Sequence, residues 1–123
     1  MKGRKSLGNW GEKIAAEYLL EKGYLILERN YRSSYGEIDL IVQIDKVTVF
    51  VEVKTRSSNR FGYPEEAVTR AKMEHLSSSA QAYLQTHPEI SGDWRIDVIA
   101  IARSRGVLPE EIVHFENILT EIS

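Results

Sequence analysis

The sequence predicts a mixed α/β domain, with a central sheet covered by helices. Its periodic segments run helix, three strands, helix, two strands, and no repeat, low-complexity tract or linker divides residues 1–123. The strand segments are dense in β-branched and aromatic residues, and only "DK" separates the second from the third, which suggests an antiparallel hairpin. A length of 123 residues suits one domain able to bury a real core.

The first element, residues 8–23, reads as a helix with Asn9 as N-cap, Glu12 three residues on and Gly23 as its stop. Lys13, Glu17 and Glu21 form a solvated stripe, while Ile14, Ala15, Ala16, Tyr18, Leu19 and Leu20 cover most of the rest. Glu12 falls inside that apolar arc, near Ala15, Ala16 and Leu19. A carboxylate there either finds a partner or a wet cleft, or serves the helix dipole.

Strand-like runs follow at residues 24–32, 37–44 and 47–55. After a loop, Pro64 suits the first turn of a second helix, with Ala67, Val68, Ala71, His75, Leu76, Ala80, Tyr83 and Leu84 near one face. Residues 94–102 and 112–117 supply the last two strands.

Composition narrows the function classes. No cysteine is present, which excludes a disulfide scaffold, a thiolate nucleophile and a thiolate zinc site, and fits a cytoplasmic protein. No apolar run is long enough to span a bilayer, and the basic start lacks the apolar stretch of a secretory signal. The net charge of −2 is not that of a polycation, yet Arg29, Arg32, Arg56 and Arg60 cluster around the strand segments. They are either ordinary solvated charges or a local phosphate-binding surface.

The segment "GEIDLIVQIDKVTVFVEVKTR", residues 36–56, holds the unusual chemistry. Alternation puts Ile38, Leu40, Val42 and Ile44 on one face with Val47, Val49, Val51 and Val53, and leaves Glu37, Asp39, Glu52 and Lys54 on the other. A two-residue turn at Asp45-Lys46 pairs Ile44 with Val47, Leu40 with Val51, Asp39 with Glu52 and Glu37 with Lys54. Like charges directly opposed destabilise a sheet unless something sits between them. A divalent cation such as Mg²⁺ is the obvious occupant, since it is commonly held by one or two carboxylates plus waters. With Lys54 beside them, these are the parts of metal-assisted phosphodiester hydrolysis. The alternative is an exposed salt-bridge ladder.

Asp39, then Glu52-Val53-Lys54 after a twelve-residue gap, with an upstream helix bearing Glu12, resembles the PD-(D/E)XK nuclease superfamily and, within it, the archaeal Holliday junction resolvases. The whole chain more closely resembles the YraN-like family of small bacterial endonuclease-like proteins, through "GxxGExxAxxYLxxxGYxILxRNxR", "GEIDLI", "VFVEVKTR" and "RxDVIAI". The resemblance implies a restriction-endonuclease-like core. It implies metal held by Asp39, Glu52 and the Val53 carbonyl, with Lys54 as catalytic lysine and Glu12 completing the metal shell. The superfamily's proline-aspartate is Ile38-Asp39 here.

The expectation is therefore a Mg²⁺- or Mn²⁺-dependent endonuclease acting on DNA, with branched or recombining structures as the expected substrates. Arg29, Arg32, Arg56 and Arg60 would hold the backbone without reading sequence. Cleaving a branched duplex symmetrically takes two active sites, which suggests a homodimer. The rivals are a non-cleaving nucleic-acid-binding or adaptor protein and an RNA nuclease. Among the remaining residues, Glu37 is read as the partner of Lys54, and Lys72 as part of a solvated helix face, a phosphate contact being its alternative. Asp97 either approaches the site or pairs with Arg95. His75, His87 and His114 are read as structural; Trp10 and Tyr35 could stack on bases or sugars, with Trp10 read rather as core or edge cover.

Overall fold

Apolar periodicity produces the segment order expected. The structure is a computed structural model that describes residues 2–56, 69–102 and 111–118. Helix α1 (Lys2–Glu21) leads to β1 (Leu25–Ser33), β2 (Gly36–Ile44) and β3 (Val47–Arg56), then helix α2 (Arg70–Gln85), β4 (Trp94–Ala102) and β5 (Glu111–Phe115). The strands form one sheet in sequence order, antiparallel throughout except for the parallel β3–β4 pair. That parallel step is the crossover made through α2.

Each helix covers one face. Ala15, Ala16 and Leu19 of α1 pack with Leu40, Val42, Val49, Val51, Ile99 and Ile101. Met73, Leu76, Ala80 and Tyr83 of α2 pack with Ile38, Ile41, Phe50, Ile96 and Val98. The fold is α/β, a mixed sheet flanked by helices.

Local chemistry explains the boundaries. At the end of α1, the Tyr24 N–H donates to the Leu19 carbonyl at 3.0 Å and the Gly23 N–H to the Leu20 carbonyl at 3.1 Å. Gly23 takes φ +96°, as this αL ending requires. The beginning differs from expectation. Asn9 lies inside α1 rather than capping it, because Gly8 weakens a helix without ending one. Asp45 and Lys46 both have positive φ, 48° and 68°. This is the backbone of a type I′ turn made without glycine.

The turn fixes the register, with Ile44 opposite Val47 and Leu40 opposite Val51 as expected. The expected face of α2 holds at Leu76, Ala80 and Tyr83, which are buried, whereas Ala71 and His75 are exposed and Met73 and Ser79 are buried. Thr69 caps this helix, its Oγ1 accepting from the Lys72 N–H at 3.1 Å. Pro64, Ala67 and Val68, placed in the helix by the sequence, lie outside the described residues.

Candidate active site

The hairpin ladder and the helices' approach together decide what the acids do. The last paired residues of β2 and β3 are Leu40 and Val51. Just beyond them the alternation of β2 breaks: Leu40 packs under α1, whereas Ile38 packs under α2. Ile38 was expected on Leu40's face, and regular alternation fails because Asp39 does not stand up from the pleat. Its Oδ2 accepts the Val53 N–H at 2.8 Å, so a side chain satisfies a backbone donor where the ladder has ended. The expected Glu37–Lys54 pair does not form. Glu37 bonds back to Arg32, whose Nε donates to Glu37 Oε2 at 3.2 Å.

Glu52 points from β3 to the α2 side and is 5% exposed. Two lysines approach its Oε2: Lys72 Nζ at 3.4 Å and Lys54 Nζ at 3.9 Å. Burial and the neighbouring Asp39 charge push Glu52 up to about 7, against the opposing pull of Lys72 and Lys54. Burial likewise raises Asp39, although the Val53 N–H bond opposes it. Glu12 arrives from α1. Burial and the Asp39 charge raise it, while a hydrogen bond to the Asn30 side chain and the Arg29 charge act against the rise. Asn30 holds a left-handed φ of 53° within β1, a conformation that asparagine tolerates better than most residues.

Glu12, Asp39, Glu52 and Lys54 therefore gather at the fork where β2 and β3 part, with α1 on one side and α2 on the other. Lys72 joins them. A solvated helix face is the expectation for it, yet one turn before the buried Leu76 its Nζ lies 3.4 Å from Glu52 Oε2. Of the four arginines, Arg29 is within electrostatic reach of Glu12 and Arg32 is held by Glu37. Arg56 ends β3, and Arg60 lies outside the described residues.

Asp97 does not join the site. It is fully buried on the α1 side of β4, taking bonds from Arg95 Nε at 3.0 Å and the Asn117 N–H at 2.9 Å, with His114 Nε2 at 2.7 Å. His114 Nδ1 in turn lies 3.1 Å from the Tyr18 hydroxyl. The same-face Arg95–Asp97 pairing is thus the one realised, and His114 serves it. A cleft of about 660 Å³ lined by Leu27, Glu28, Tyr83 and His87, among others, lies toward the other end of β1 and β2 and includes none of the expected site residues.

The donors at the fork are all oxygen, which suits Mg²⁺ or Mn²⁺ rather than a thiolate- or imidazole-seeking ion. Among the described residues, no three His, Cys, Asp or Glu side chains form a ready cage. That is compatible with Mg²⁺, which keeps several waters and asks for one or two carboxylates. A buried and a half-buried carboxylate, each pushed toward its neutral form, are what a cation placed between them would restore to charge.

Comparisons with known proteins agree on kinship. The family model described as "Uncharacterised protein family UPF0102" matches residues 11–101. A UPF0102 protein of Syntrophomonas wolfei is 52% identical over 97 residues, covering 79% of this chain and 84% of that one. One from Clavibacter michiganensis is 47% identical over 105 residues, covering 85% and 89%. One from Herpetosiphon aurantiacus is 41% identical over 122 residues, covering 96% and 97%. Among solved structures, Pyrococcus furiosus SfsA in complex with Ca²⁺ is similar with a TM-score of 0.36 and 17% identity. That match covers 92% of this chain and spans only 63% of SfsA. With a family model over most of its length and close relatives along nearly all of it, the chain belongs to the uncharacterised protein family UPF0102.

Proposed function

We propose that this protein is a metal-dependent endonuclease of the PD-(D/E)XK type, hydrolysing phosphodiester bonds in nucleic acid, with DNA as the favoured substrate. The observation that carries this reading is the juxtaposition of Asp39 and Glu52. Both are carboxylates raised by burial, gathered with Lys54 and Lys72 at a fork in the sheet. A protein selected for stability alone has no use for that arrangement.

Asp39 and Glu52 would hold Mg²⁺ or Mn²⁺, with the Val53 carbonyl and Glu12 completing the set. When bound, the ion lowers the pKa of a water and neutralises charge on phosphoryl oxygens. Lys54 is placed to orient the attacking water or to balance charge on the scissile phosphate. Glu12, raised by burial and by Asp39, holds a proton more readily than an exposed glutamate would. Arg29, Arg32, Arg56 and Arg60 are assigned to the phosphate backbone, and symmetric action on a branched duplex would employ a homodimer.

A non-cleaving nucleic-acid-binding role is the second reading. It is favoured by one feature: Glu52 is already engaged by lysines, with no ready cage among the described residues.

Cleavage of a four-way junction, a flap, a linear duplex and single-stranded RNA in Mg²⁺ or Mn²⁺ separates the two readings. Cutting that is lost in Asp39→Ala and Lys54→Ala supports the nuclease and names its substrate. Binding without cutting in any metal supports the adaptor. No helix among the described residues is long and apolar enough to cross a membrane.

A further inference from the structure

We infer that Lys72 is a displaceable counter-cation, which holds the Glu52 carboxylate while no divalent ion is bound and turns to a backbone phosphate once an ion takes Glu52 over. The inference rests on the metal-nuclease reading and adds a coupling between metal loading and substrate binding. Three observations lead to it.

The first is competition for one carboxylate. Lys72 and Lys54 both approach the same oxygen, Glu52 Oε2, at 3.4 and 3.9 Å. Glu52 is nearly buried, and its approaches are few. Two ammonium groups and a divalent ion cannot all share that oxygen, so an ion that takes Oε2 displaces a lysine from it.

The second is which lysine is free to leave. Lys54 lies two residues along the same strand as Glu52, with a side chain 33% exposed. Lys72 comes from a different element, its side chain is 42% exposed, and among the described residues its one ion pair, to Glu52, is made through a long flexible stem. Its backbone is fixed by the Thr69 cap, so its head can swing while its root stays in place.

The third is its place in α2. Lys72 lies in the first helical turn, where the helix dipole disfavours a cation. The Glu52 contact offsets that cost in the metal-free protein, and a phosphate would offset it in the complex. With Glu12, Asp39 and Glu52 ionised, the two lysines leave the fork with one net negative charge. A bound divalent ion makes it positive, and the released lysine then meets an incoming polyanion.

The test is calorimetric Mn²⁺ titration at pH 8.5, where proton competition at Glu52 is small, paired with fluorescence anisotropy of a labelled four-way DNA junction. Junction binding is measured with EDTA and with Ca²⁺ for the wild type, Lys72→Met and Lys72→Arg. Lys72→Met is expected to bind Mn²⁺ about fivefold more tightly, the scale of one partly exposed ion pair. It should also lose most of the gain in junction affinity that Ca²⁺ gives the wild type, and Lys72→Arg should keep that gain. Unchanged or weaker Mn²⁺ binding by a folded Lys72→Met, or an undiminished Ca²⁺-dependent gain, overturns the inference alone. Failure of the wild type to bind Mn²⁺ overturns the metal-nuclease reading and this inference with it. Should Lys72→Met not fold, Lys72→Gln carries the same expectations.

Discussion

Two buried carboxylates in this protein are treated in opposite ways, and the contrast separates structure from chemistry. Burial alone would raise Asp97, but bonds from His114, Arg95 and the Asn117 N–H outweigh it and hold the carboxyl below its usual range. Glu52 has only lysine contacts and is left near 7. Asp97→Ala should therefore destabilise the fold by roughly 3–5 kcal/mol, since it strands Arg95 and His114 without their partner. Glu52→Gln should be neutral or stabilising in EDTA at pH 8, because it removes a charge the metal-free fold holds poorly. Urea denaturation of both variants checks this, and an equal loss in Glu52→Gln would make Glu52 a structural acid. A third residue offers a control. The Thr48 hydroxyl is buried without a hydrogen-bond partner among the described residues. Thr48→Val should raise stability by about 1 kcal/mol in the same denaturation, with no effect on metal binding.

Between elements, one close approach brings Glu12 to the sheet. A Cβ on Gly11 would collide with Thr55 Cγ2 of β3, so glycine is what lets α1 settle over the fork and bring the next residue to Asp39. Gly11→Ala should improve helix propensity yet destabilise by about 1–3 kcal/mol through overpacking. Thr55→Ser, which removes the colliding methyl, should recover most of that loss in thermal melts of the double variant. Gly11 drew no notice as a contact in the sequence, because nothing there says which residue lies across from a helix. The acids were legible for the opposite reason. Asp39, Glu52 and Lys54 interrupt runs of Val and Ile, so period-two alternation exposes them. Alternation failed one residue away, at Ile38, where the ladder ends and Asp39 bonds to the strand backbone. Lys72 was not legible because nothing in a helix's own pattern says which strand residue its first turn will meet. Leu76, Ala80 and Tyr83 are buried as their spacing suggests, while packing buries Met73 and leaves Ala71 and His75 exposed. The Asp97–His114 pair joins residues far apart in sequence that local pattern cannot connect.

For the molecule as a whole, the fork makes stability depend on pH and metal together. Glu52 titrates near 7 when folded, above its ordinary value of 4.5, so the folded state binds this proton more tightly than the unfolded chain. That contribution is fully present below about pH 4.5 and is lost as pH rises through about 7, on the order of 3 kcal/mol in all. Asp39 and Glu12, also raised, push in the same direction. A divalent ion works against this loss, because it binds the ionised carboxylates of the folded state and has no assembled site in the unfolded chain. At one hundred times its dissociation constant it would add about 2.7 kcal/mol. Thermal melts in EDTA should therefore fall from pH 5 to pH 8. Melts in saturating Mn²⁺ should run above them by a margin that widens over the same range. Glu52→Gln should flatten the EDTA series, and Asp39→Asn should bring the two series together. A margin that stays constant with pH would mean that the ion binds elsewhere, whereas a widening margin would tie metal, proton and fold to the same pair of carboxylates.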